Sequence, residues 1–124
     1  MSWPRHVARG IAVGRIAAGV ALLAAPRPVA KAWVGDDGDG PAAAVLTRAV
    51  GIRDLIMGAI TLHTVTHPQV GPRWVATCAV ADVVDCAATL VAREELPSKG
   101  LPVALLAGGS AVAGFAAAAG LRRG

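Results

Sequence analysis

Long apolar stretches separated by short polar breaks dominate this chain. The first apolar stretch covers residues 7–25, with 16–25 its cleanest part. Pro26-Arg27-Pro28 ends it, because proline removes a helix donor and disfavours helix at the residue before it. The second covers residues 41–65, where Asp39 or Gly40 can cap and Pro41 suits the first helical position. A turn-rich break, Thr66-His67-Pro68-Gln69-Val70-Gly71-Pro72, leads to the third stretch, residues 73–92. A charged loop over 93–100 precedes the fourth, residues 102–121, which contains glycines but no charge. Each stretch is about 19–25 residues, enough for a helix to cross roughly 30 Å of hydrocarbon. Residues 29–34, with Lys31 and Trp33, form a short amphipathic piece suited to the interface. The pattern predicts an all-α fold: a four-transmembrane-helix bundle with a short interfacial helix after the first span, one integral membrane domain over residues 1–124.

Composition agrees. Apolar residues make up 55% and charged residues 16%, against about 45–50% and about 25% in soluble proteins. Alanine and glycine would build a poor soluble core, but small side chains let membrane helices approach closely. Trp3, Trp33 and Trp74 fall at expected helix ends, where amphipathic rings favour the headgroup level, and Arg122 and Arg123 close the last span as interface anchors. The net charge of +4 is scattered over segment ends and interiors, with no basic face interleaved with aromatics, so nucleic acid is not an expected partner. The expected partner is the lipid bilayer. Four crossings place both termini on one side, taken as cytoplasmic from a slight Lys/Arg bias. A cleavable signal peptide competes for the first stretch, with Ala30-Lys31-Ala32 before Trp33 as a cleavage-like site. Arg15 falls late for the basic front of such a peptide.

The unusual chemistry is charge inside the spans. At equal depth, Arg15 is central in the first stretch, Arg53 and Asp54 in the second, and Asp82 and Asp85 in the third. Arg48 lies one to two turns nearer the far side. A charge at the bilayer centre costs about 2.5–3.5 kcal/mol on insertion scales, so buried charges should pair or neutralise. Three arginines and three aspartates at similar depth allow pairing. Cys78, Asp82, Asp85 and Thr89 share one helical stripe, and Thr47, Gly51, Asp54, Gly58, Thr61 and Val65 another. Arg53 points about 100° away from Asp54 on a 3.6-residue helix. Two readings follow for the cluster Arg15, Arg48, Arg53, Asp54, Asp82 and Asp85. It is a salt-bridge lock holding Ala-rich helices in register, or a polar pathway for protons, ions or a polar substrate.

Other features are weaker. Cys78 and Cys86 lie about 12 Å apart along one helix and cannot bond each other there. His63 and His67 are spaced like two metal ligands, but Pro68 follows and no third ligand is near, so no metal or cofactor is expected. The run from Gly35 to Gly40 lacks the ligand set of a calcium loop. Gly10 and Gly14 form a small-xxx-small spacing that suits helix packing, in an oligomer or a larger complex. No nucleophile elbow, phosphate loop or Cys-x-x-Cys is present, and the chain does not read as an enzyme.

Gly14-Arg15, Ala25-Pro26-Arg27, Trp33-Val34-Gly35, Arg48-Ala49-Val50-Gly51-Ile52-Arg53-Asp54 with Gly58, and Ala81-Asp82-Val83-Val84-Asp85 together resemble a group of small four-helix membrane proteins of unknown function from high-GC bacteria. The resemblance covers nearly the whole chain and implies a multi-pass membrane protein, but brings no substrate. The leading expectation is a structural or accessory membrane protein that associates with itself or a larger complex. The alternative is a small proton- or ion-coupled transporter using the intramembrane carboxylates.

Overall fold

The computed structural model describes residues 3–124. The chain is helical, and no strand occurs among these residues. The helices are α1 (Trp3–Ala24), α2 (Pro26–Val34), α3 (Pro41–Thr64), α4 (Val70–Val91) and α5 (Leu101–Arg123). Short 3₁₀ turns at Gly35–Asp39, Arg93–Glu95 and Pro97–Gly100 fill the connections.

Proline sets several boundaries. Ala25 leaves helical geometry at φ −133°, ψ 62°, and Pro26 then starts α2 at a position where its missing N–H costs nothing. The Pro-Arg-Pro break is therefore a sharp bend between two helices rather than a loop. Helix α4 starts at Val70, three residues ahead of the sequence expectation. Its first turn tolerates Pro72, and the Nδ1 of His67 accepts the otherwise unpaired N–H groups of Gln69 and Val70 at 3.3 and 3.1 Å. Gly100, in the left-handed conformation at φ 67°, turns the chain into α5.

The four long helices run antiparallel to their sequence neighbours. Helix α1 packs most closely on α3, α4 on α5, and the two pairs meet mainly along α1 and α5. Glycine permits the α1–α3 approach: a Cβ on Gly19 would sit 2.6 Å from the carbonyl oxygen of Gly51, and one on Gly58 2.6 Å from that of Ala12. At the end holding both termini, Ala8, Val65, Val75, Ala117 and Ala118 close an apolar core.

Three helical stretches are long and apolar enough to cross a membrane: Trp3–Ala24, Val70–Val91 and Pro97–Arg123. Helix α3 has the length, but any 18-residue window of it holds Arg48, Arg53 and Asp54 together. The expectation of four apolar spans is thus met by three helices on hydropathy alone. The outward faces of all four long helices are apolar, as at Val13, Val45, Leu46, Val80, Val91, Leu105 and Val112. Such faces suit a lipid surround.

Candidate functional site

Midway along the bundle, charged side chains from α1, α3 and α4 converge. Arg15 reaches from α1 across to α4, where Nη1 donates to Asp82 Oδ1 at 2.8 Å and Nη2 donates to Asp82 Oδ2 at 2.5 Å. Nη2 also donates to the Cys78 carbonyl at 3.2 Å. Both side chains are buried, at 9% and 6% exposure. Planar guanidinium and planar carboxylate match as a two-pronged fork, the strongest form of such a pair.

Arg53 makes a second node. Its Nη1 and Nη2 donate to Asp85 Oδ1 and Oδ2 at 3.3 and 2.7 Å, and Nη2 also donates to Asp54 Oδ1 at 3.3 Å. One guanidinium thus serves two carboxylates, and its buried Nε has no partner among the described residues. The Asp54 side chain is 15% exposed and Asp85 24%.

Arg48 stands apart from this cluster. It is exposed, and its Nε donates to the Leu23 carbonyl at 3.3 Å. Five residues of helix rotate it about 140° from Arg53, so it cannot share that face. It caps the last turn of α1 instead, where a cation meets unpaired carbonyls and the negative end of the helix dipole. This changes the charge balance. Two arginines, Arg15 and Arg53, face three carboxylates, Asp54, Asp82 and Asp85, leaving a formal charge of −1.

The tryptophans divide. Trp3 is exposed beside the chain start. The indole N–H of Trp33 donates to Thr89 Oγ1 at 3.3 Å, tying α2 to α4. The indole N–H of Trp74 donates to Thr61 Oγ1 at 3.0 Å and to the Met57 carbonyl at 3.3 Å, tying α4 to α3. Arg122 and Arg123 are exposed at the end of α5. Cys78 is buried, with its Sγ 4.0 Å from Thr61 Oγ1. Among the described residues no three His, Cys, Asp or Glu side chains converge as for a metal.

A partly open pocket of about 490 Å³ lies against the cluster. Asp54, Asp82, Asp85 and Arg15 supply its charged wall, and the rest is apolar apart from Ser110. Arg53 is not in the lining; it holds the carboxylates from behind. Along α1 the wall includes the small residues Gly10, Gly14, Ala18 and Ala21, spaced at helical period on one face, flanked by Ile11 and Leu22. A Cβ on Gly10 or Gly14 would meet nothing within 4 Å among the described residues. These glycines, expected to pack a neighbouring helix, leave space instead. Trp33 and Val29 bound the pocket from α2, while the alanine core seals the opposite end of the bundle. Beyond Arg15, toward that core, a second void of only about 10 Å³ touches Thr61 and Cys78.

The charged residues were visible in the sequence; the pocket was not. Its one early signal was the small-residue period 10, 14, 18, 21, which looks the same whether a helix or a void lies opposite. The positions of Val103, Leu106 and Ser110 along α5 carried no signal at all. Comparison of the chain with family models, curated proteins and solved structures gave no match.

Proposed function

We propose that the protein crosses a bacterial inner membrane four times, by α1, α3, α4 and α5, with α2 at the interface and both termini cytoplasmic. In this reading it is kin to the small four-helix membrane proteins that its motifs resemble. Its cluster divides into two parts. Arg15–Asp82 is the lock that fixes α4 against α1. Asp54 and Asp85, sharing Arg53, form a polar path or binding site for protons or small cations.

The observation that carries this reading is the surplus carboxylate beside an open pocket. A lock alone needs matched charges and a dry interior. Here Asp54 faces Arg15 from α1 and Asp82 and Asp85 from α4, beside Arg53 on its own helix, while α2 and α5 bring no titratable group to the pocket. One negative charge is left for an exchangeable cation.

The test is proton or cation flux in vesicles containing the purified chain. Asp54→Asn restores a two-to-two charge balance, so it should fold, and flux should fall to the level of protein-free vesicles. Equal flux in wild type and Asp54→Asn rejects the proposal. A second reading, self-association through α1, is supported by the vacant face at Gly10 and Gly14. It expects Gly14→Cys to form an intermolecular disulfide in the membrane.

A further inference from the structure

We infer that the pocket takes a lipophilic organic cation, its charge held near Asp54 and Asp85 and its apolar groups along Ile11, Ala18, Leu22 and Leu106. The inference rests on the reading that these carboxylates serve a cation, and it adds the chemical class. Three features select it. The first is sign. The lining presents three carboxylates and one guanidinium, and that guanidinium is already forked onto Asp82. An anionic head would face three carboxylates, with the lining guanidinium already committed to one of them.

The second is volume. A proton needs no chamber, and a hydrated metal ion gains nothing from apolar walls. About 490 Å³ falls within the roughly 300–1,000 Å³ of sites that enclose small organic ligands. The lining from Gly10 to Leu22 also follows α1 over 13 residues, a rise of about 18 Å. The third is Trp33. Trp33 is in the lining, and its indole is held by the hydrogen bond to Thr89. A fixed aromatic ring adds attraction for an organic cation that an uncharged lipid chain would not draw on.

The experiment uses the full chain in phosphatidylcholine nanodiscs and two probes of matched shape and opposite charge, tetraphenylphosphonium and tetraphenylborate. Calorimetry and tryptophan fluorescence report binding. The cation should bind saturably, one per chain, and change the Trp33 emission; the response should vanish in Trp33→Phe. Tetraphenylborate should only partition into lipid. Asp54→Asn should weaken cation binding about tenfold or more, because one unit of attractive negative charge is lost from a site of low dielectric. Ala18→Leu should weaken it as much by filling the pocket; Leu106→Trp replaces that variant if its circular dichroism shows loss of helix. Saturable binding of both ions, unchanged affinity in Asp54→Asn, or no saturable cation binding overturns the inference. If Asp54-dependent proton flux persists without cation binding, the ligand class falls and the proton path stands. If the cation binds through Asp54 without flux, the ligand class stands and transport falls.

Discussion

Arg15 and Asp82 hold together two helices, α1 and α4, that make little other contact. The guanidinium spans the diagonal of the bundle and is matched atom for atom by the carboxylate. Removing one partner leaves the other buried and uncompensated, a loss of about 3–5 kcal/mol in buried pairs. Arg15→Ala and Asp82→Ala should each destabilise the protein by that order in detergent unfolding. The double variant Arg15→Met with Asp82→Leu should lose much less than the sum, because no lone charge remains.

Arg48 and Arg53 share a helix but should behave differently. Arg53→Ala leaves Asp54 and Asp85 unpaired beside each other and should cost about 1–3 kcal/mol, below the fully buried case because the guanidinium is 36% exposed. Arg48→Ala removes an exposed cap on α1 and should cost about 0.3–1 kcal/mol. Thermal unfolding of the two variants in one detergent measures the difference. Similar losses would place Arg48 in the cluster after all.

Glycines should also sort by environment. At Gly58 a side chain would strike the Ala12 carbonyl at 2.6 Å, so Gly58→Ala should weaken α1–α3 packing by about 1–3 kcal/mol. Gly14→Ala meets open space and relieves helix-interior glycine, so it should be neutral or stabilising by about 0.5–1 kcal/mol. Unfolding midpoints for both variants decide this.

Water in the pocket can be read chemically. A thiol reacts with maleimide as the thiolate, which forms only where water reaches it. On a chain with Cys78 and Cys86 replaced by Ala, Ala18→Cys in the pocket should label with a water-soluble maleimide. Val13→Cys, exposed on the outer face of the same helix, should be shielded by lipid. Equal labelling of both positions would mean that this helix does not sit in a bilayer.

The crossing of α3 has its own test. Reporter fusions in the loops around residues 36–39 and 94–99 should report one side of the membrane, and fusions at residue 67 and at residue 124 the other. Loops 36–39 and 67 on the same side would mean that α3 does not span.

The long helices were legible because their apolar length exceeds what a loop can hold, and because Pro26, Pro41 and Pro102 punctuate them. Helix ends shifted where tertiary or local capping intervened, as when His67 extended α4 back to Val70. The charged positions were legible by depth alone. Their pairing was not, since helical phase leaves each arginine within reach of several carboxylates and side-chain length decides the rest. Arg48 shows this most plainly: depth placed it with the cluster, and rotation about α3 carried it to the end of α1. The pocket was hidden because an empty space has no residues of its own.

That emptiness is made by small residues along α1, whereas the carboxylates beside it stand on α3 and α4. Size and sign are therefore set by separate helices. A change from glycine or alanine to a larger residue at positions 10, 14, 18 or 21 trims the chamber without disturbing any ion pair, and a change at Asp54 alters its charge without altering its shape. The two properties can drift independently, one substitution at a time, on an unchanged bundle.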